Sequence, residues 1–136
     1  MKRVDYFRLM ANLFAFQTIQ DEWQNTYVMF AHSQVTDITG IKDRTQFEAL
    51  ENHVHLLDNI KKTEYPICVE IAPKLGKVLL NSLQCAFPEK HFWVFVTVSL
   101  GGSMIIRFHQ KWPGEPQYYP LEGWNPEMEA VFGFDC

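Results

Sequence analysis

His91-Phe92-Trp93-Val94-Phe95-Val96-Thr97-Val98-Ser99-Leu100-Gly101-Gly102-Ser103-Met104-Ile105-Ile106-Arg107-Phe108-His109-Gln110-Lys111 consists of two apolar, β-prone runs around a Gly-Gly pair. That is the pattern of an antiparallel hairpin. Because strand side chains alternate between faces, the loop length decides which residues share a face. A two-residue Gly101-Gly102 loop pairs Val96 with Arg107 and Val94 with His109, which places charge among valines. A three-residue loop, Gly101-Gly102-Ser103, pairs Leu100 with Met104 instead. Phe92, Val94, Val96, Val98, Leu100, Met104, Ile106 and Phe108 then form one apolar face, opposite Trp93, Phe95, Thr97, Arg107, His109 and Lys111. The three-residue loop is expected because it keeps Arg107 and His109 out of the core.

Helical patterns precede the hairpin. Residues 4 to 19 carry Phe7, Met10, Leu13 and Phe14 at helical spacing, although Phe14-Ala15-Phe16 equally suits the start of a strand. Residues 26 to 31 read as a short strand or buried segment. Thr45-Gln46-Phe47-Glu48 fits a capping box, followed by a Phe47, Leu50, Val54, Leu57 stripe that predicts a helix to about Ile60, with Lys61 and Lys62 at its negative end. A third helix is expected from Pro73, through Leu75, Leu79, Leu83 and Ala86, to Pro88; Ile67 to Ile71 looks like a brief strand ahead of it. After Trp112, the prolines and Gly114 predict an ordered, irregular loop over 113–126, and Met128 to Phe134 a returning strand. The expected class is α+β: helices packed on one face of a mainly antiparallel sheet centred on the 91–111 hairpin, with 1–136 as one domain.

Composition narrows the function classes. With 47% hydrophobic residues, the 136-residue chain can bury a sizeable core without staples. A net charge of −4, with scattered basic residues, argues against direct nucleic-acid binding, which draws its affinity from clustered cations. Cys68, Cys85 and Cys136 are an odd number without a CxxC pair, so free thiols are expected: two in the core and one at the chain end. Asp5 and Arg8 interrupt the N-terminal apolar residues, and no run approaches a membrane span. A cytoplasmic address is the expectation, without cofactor or membrane.

No side-chain set stands out as catalytic. His53 and His55, two apart on the expected second helix, would point in different directions; His91 and His109 lack nearby ligands to complete a tetrahedral metal set. There is no G-x-S-x-G elbow, P-loop or dinucleotide-binding glycine pattern. Arg107 and His109 alternate onto one strand face and offer an enzymatic alternative: anion binding and proton transfer on an anionic substrate. The simpler expectation is a solvated strand face. Late in the chain, Trp93, Phe95, Trp112, Tyr118, Tyr119 and Trp124 lie among Glu115, Glu122 and Glu127, the aromatic-anchor and polar-rim composition of a protein interface. Trp112, Glu115, Tyr118, Tyr119, Glu122 and Trp124 are the partner-contact candidates, with Asp21, Glu22, Glu48, Glu51 and Glu127 as further acidic candidates.

The stretch from Met104 to Tyr119, Met-Ile-Ile-Arg-Phe-His-Gln-Lys-Trp-Pro-Gly-Glu-Pro-Gln-Tyr-Tyr, resembles the late hairpin and loop of bacterial contact-dependent growth inhibition immunity proteins. The resemblance covers the last third of the chain. It implies a cytosolic protein that binds the toxin domain delivered by a neighbouring cell, often a nuclease, and neutralises it without catalysis. That class spans several folds, so the resemblance implies neither an architecture nor contact residues. An acidic inhibitor suits a basic, phosphate-gripping toxin site.

Overall fold

A computed structural model describes residues 3–136; Met1 and Lys2 of the expected domain lie outside the described residues. The fold is α+β, in the order α1 (Arg3–Asn12), β1 (Phe16–Gln20), β2 (Thr26–Phe30), α2 (Arg44–Glu51), β3 (His53–Leu57), α3 (Tyr65–Ala86), β4 (Phe92–Ser99), β5 (Met104–Gln110) and β6 (Glu129–Asp135). Strands β1 and β2 form a small antiparallel sheet, and the larger antiparallel sheet has the order β3-β5-β4-β6.

The hairpin is at the centre of the larger sheet. Val98 pairs with Met104, Val96 with Ile106 and Val94 with Phe108. The loop has three residues, but they are Leu100-Gly101-Gly102: Ser99 N–H donates to the Ser103 carbonyl at 3.1 Å. This register differs from the expected one by two residues, so the faces are unchanged, and Gly101 supplies the left-handed φ of +76°. Phe92, Val94, Val96, Val98, Met104, Ile106 and Phe108 all enter the main core.

Helix α3 covers that apolar face, and it begins well before Pro73. It starts at Tyr65, with Pro66 in its first turn, and continues through Pro73 for 22 residues in all. Ile67 to Ile71 is helical, not a strand. Cys68, Ala72, Gly76, Leu79 and Leu83 recur at helical spacing and are the buried stripe. Small residues at its middle bring the helix close to the sheet: a Cβ on Gly76 would lie 2.6 Å from the Phe134 ring. That packing overrides the β propensity of the Ile-Cys-Val-Glu-Ile run and holds Pro73 in the helix despite its missing N–H.

Three further expectations change. Helix α1 ends at Asn12 and buries none of its residues; of the expected apolar stripe only Leu13, just beyond it, is buried, while Phe7, Met10 and Phe14 are exposed. Helix α2 is capped by Asp43, whose carboxylate accepts from Gln46 N–H at 2.9 Å, rather than by a Thr45–Glu48 box. It stops at Glu51, and the expected last turns are strand β3, where Val54 points into the core. His53 and His55 consequently share a face, with ring centroids 5.7 Å apart. Of the cysteines, Cys68 is buried, Cys136 half-buried and Cys85 exposed. No helix among the described residues is long and apolar enough to cross a membrane.

Candidate partner-binding site

Strand β3 is too short to pair with all of β5, and α2 completes the edge with side chains. Even-numbered residues of β5 face β3: Phe108 N–H donates to the Asn52 carbonyl at 3.2 Å, and Gln110 N–H to Glu48 Oε1 at 2.8 Å. One helical turn apart, Glu48 and Asn52 also close the outer edge of β2. Glu48 accepts from Val28 N–H (2.9 Å), while Asn52 accepts from Phe30 N–H (3.1 Å) and donates to the Val28 carbonyl (2.7 Å). Gln110 Nε2 donates to the Thr26 carbonyl and to Glu48 Oε2. Three side chains thus take the place of a missing strand and join the two sheets, leaving none of these buried backbone groups without a partner.

Glu48 is fully buried, and its fourth donor is Trp112 Nε1 at 2.6 Å. Burial pushes its carboxyl up to about 7, against the pull of the hydrogen bonds from Gln110, Val28 and Trp112. Trp112 also packs on Tyr27, with the Arg44 guanidinium 4.7 Å above its ring. Glu115 accepts from Arg44 Nε at 2.8 Å and from Thr45 N–H at 2.7 Å. Burial raises the Glu115 carboxyl, but those bonds outweigh it and hold the group below its ordinary value. Both residues pin the 113–126 loop to the start of α2.

The face carrying Arg107 and His109 is covered, not solvated. His109 is 1% exposed and Arg107 7%. The Arg107 guanidinium lies 5.1 Å from the Tyr118 ring centroid and 5.3 Å from that of Tyr119, and donates to the Ala49 carbonyl. His109 Nδ1 lies 2.7 Å from the Gln110 carbonyl, and Nε2 accepts from Tyr118 N–H at 3.1 Å. Burial, only partly offset by the Gln110 contact, lowers the imidazole's pKa and favours the neutral ring. Both ring nitrogens are engaged by backbone groups, and the ring is shielded from solvent.

The six contact candidates therefore fall into two groups. Trp112, Glu115, Tyr118 and Tyr119 anchor the loop to the body of the protein. Glu122 is exposed, and Trp124 is half-buried at the surface. Trp124 donates to the Pro120 carbonyl at 2.8 Å, packs edge-on against Tyr119 and separates two surface grooves. One, of about 310 Å³, runs over the outer sheet face beside Thr97, Ile105 and Tyr119. The other, of about 400 Å³, is bordered by Val69, Leu121, Glu122, Glu129 and Phe132. Neither Glu122, Glu127 nor Glu129 has an ion-pair partner among the described residues. Of the other acidic candidates, Asp21 is buried in its own turn, accepting from Tyr27 Oη and Asn25, and Glu22 accepts from Gly40 N–H; Glu51 is exposed.

Glu129 and the exposed Leu121 and Met128 belong to the open surface but were not among the sequence candidates. From Trp112 to Cys136 there is no Lys, Arg or His, a one-sided charge run that could have pointed to them. No set of three or more His, Cys, Asp or Glu among the described residues is placed to hold a metal. Compared with family models, curated proteins and solved structures, the chain matches none.

Proposed function

We propose that this chain is a noncatalytic binding protein that engages a basic protein partner through the surface around Trp124, and that it acts as an immunity protein neutralising a toxin domain in the cytosol. The observation that carries the reading is the pair of grooves divided by Trp124 and rimmed by Glu122 and Glu129 without cationic partners. An aromatic anchor between grooves supplies contact area, and unpaired carboxylates steer a cationic surface towards it. The likeness of residues 104–119 to contact-dependent growth inhibition immunity proteins supplies the toxin. A phosphate-gripping nuclease presents the kind of basic site that such a surface complements. The enzymatic alternative loses support from the burial of His109 and Arg107.

The test is co-expression with the toxin domain encoded beside this gene. Protection from that toxin and not from unrelated ones is expected. Trp124→Ala and Glu122→Lys should each weaken the complex by about tenfold or more, as contact-surface losses of 1–3 kcal/mol do, with the melting temperature unchanged in Glu122→Lys and the fold retained in Trp124→Ala. A chain that protects against no neighbouring toxin, or variants that protect as well as the parent, would overturn the proposal.

A further inference from the structure

Hydrogen-bond alternation identifies which strand edges are open. At the two ends of the β4–β6 register, Leu100 N–H donates to the Met128 carbonyl at 2.8 Å and Cys136 N–H to the Phe92 carbonyl at 3.2 Å. Bonded and non-bonded pairs alternate in an antiparallel ladder. Ala130, Phe132 and Phe134 therefore turn their backbone groups towards β4, and Val131, Gly133 and Asp135 turn theirs away. Those outward groups join none of the backbone bonds formed outside regular elements among the described residues.

The other edges are closed, short or irregular. The outer edge of β2 is sealed by Glu48, Asn52 and Gln110. Strand β3 has five residues and a bulge between His55 and Leu57, and β1 has five residues. Strand β6 has seven, pairs with β4 without a register shift, and contains neither Pro nor Lys, the usual means of blunting an edge. The groove of about 400 Å³ runs along its first half, between Val69 of α3 and Leu121 and Trp124 of the loop.

We infer that β6 is a docking edge on which an extended, basic segment of a partner protein adds as a fifth strand. Alternating outward N–H and C=O groups are matched in spacing by an extended chain. The charge comes from Glu122 and Glu129, which border the groove without ion-pair partners. A second copy brings no cationic strand to this edge: full-length two-fold pairing of β6 with itself sets Glu129 opposite Asp135, whose charge Lys111 already neutralises at 2.7 Å, and β6 carries no Lys or Arg to pair Glu129. This inference rests on the binding-protein reading and specifies how the partner is held.

The probe is a capped octapeptide of alternating lysine and valine, with a glutamate–valine octapeptide as control. The readout is residue-resolved amide hydrogen exchange by NMR. In the free protein, Val131 and Gly133 amides should exchange at least about tenfold faster than those of Ala130 and Phe132, as unbonded edge amides do. The lysine peptide should slow them, and the glutamate peptide should not. Val131→Pro removes an outward N–H and leaves the β4 bonds in place, so affinity for the lysine peptide should fall by about tenfold or more. If that variant does not fold, Glu122→Lys with Glu129→Lys should reverse the preference between the peptides.

Failure of the lysine peptide to protect the edge, equal protection by the glutamate peptide, protection confined to other residues, or unchanged peptide affinity in the variants would each overturn the inference. So would edge amides already protected in a particle of twice the mass, which would assign β6 to a second copy. Persistence of toxin binding that depends on Trp124 but leaves the β6 amides exposed would overturn strand addition alone. Loss of toxin binding altogether would overturn the binding-protein reading beneath it.

Discussion

Glu48→Gln tests the junction between the two sheets, and pH separates its contributions. The carboxylate accepts two donors on each oxygen: Gln110 N–H and Trp112 Nε1 on Oε1, Val28 N–H and Gln110 Nε2 on Oε2. A glutamine keeps one accepting oxygen and aims an amide NH2 at the other pair. The folded parent is protonated at pH 4.5 and its hydroxyl oxygen still accepts from one donor of that pair, so the glutamine leaves one further buried donor without an acceptor and a loss of about 2 kcal/mol is expected there. The folded carboxyl sits at about 7 against an ordinary 4.5. Between those values the folded state holds a proton that the unfolded chain has released. The stability contributed by Glu48 is therefore full below 4.5 and is lost as pH rises towards 7. A shift of that size corresponds to about 3 kcal/mol.

Glutamine does not titrate, so the stability difference should shift by about 3 kcal/mol between pH 4.5 and pH 8, from about 2 kcal/mol in favour of the parent to about 1 kcal/mol in favour of Glu48→Gln. Urea unfolding of both proteins across that range, followed by tryptophan fluorescence, measures it. His109 has the opposite dependence: its depressed pKa costs stability as pH falls below 6.5, where the unfolded imidazole charges first. That contribution is common to both proteins and cancels in the difference if the substitution leaves the His109 environment intact. A difference that stays constant or moves further in favour of the parent with rising pH would refute the reasoning, because it would mean that four donors hold the carboxylate ionised at its ordinary value or below.

Asn52→Leu should cost about 3 kcal/mol, since it leaves Phe30 N–H and the Val28 carbonyl buried without partners, and the Phe30 amide should exchange faster than its strand neighbours. Gly76→Ala should destabilise by about 1–3 kcal/mol through the clash with Phe134, even though alanine favours a helix by about 1 kcal/mol; a raised unfolding midpoint would contradict the close approach. Arg44→Ala removes the partner of Glu115 and the cation above Trp112, so limited proteolysis should cut the 113–126 loop faster while the unfolding free energy falls by about 1–2 kcal/mol, as expected for a half-buried charged bond.

The central hairpin was readable because two independent constraints coincided. Alternation gave the apolar face, and keeping charge away from Val94 and Val96 selected the parity. Loop placement was not readable to the residue, because shifting it from Gly101-Gly102-Ser103 to Leu100-Gly101-Gly102 leaves every face unchanged. Helix α2 misled because Val54 and Leu57 continue a helical period while also fitting alternation in His53–Leu57; a five-residue segment contains too few repeats to separate the periods. Pro73 misled for a different reason. Its usual meaning as a helix start was overridden by the Cys68, Ala72, Gly76 stripe, whose small residues signal a close helix–sheet approach only when Phe134 is known to lie opposite.

The candidate site was legible as a region and not residue by residue. Aromatic and acidic residues share the 112–129 stretch, and composition cannot distinguish a side chain that recognises a partner from one that fastens its own loop. Contacts distant in sequence make that distinction: Glu115 meets Arg44 across 71 positions and Trp112 meets Glu48 across 64. Arg107 shows the same limit, since its solvated appearance depended on ignoring the two tyrosines that close over it.

The loop's internal attachments also determine what is left for recognition. A loop held at Trp112, Glu115, Tyr118 and Tyr119 has already lost most of its conformational freedom, so a partner meeting Glu122 and Trp124 need not supply that ordering cost, which otherwise runs to about 1–2 kcal/mol per residue of backbone. The same anchors carry Leu121 across Gly133, where a Cβ would lie 2.6 Å from its side chain. Groove and strand edge are therefore two sides of one rigid element. A substitution that frees the loop, such as Arg44→Ala, should weaken partner binding even though Arg44 lies outside both grooves, and it should do so mainly by slowing association, because a mobile loop presents the competent surface only part of the time.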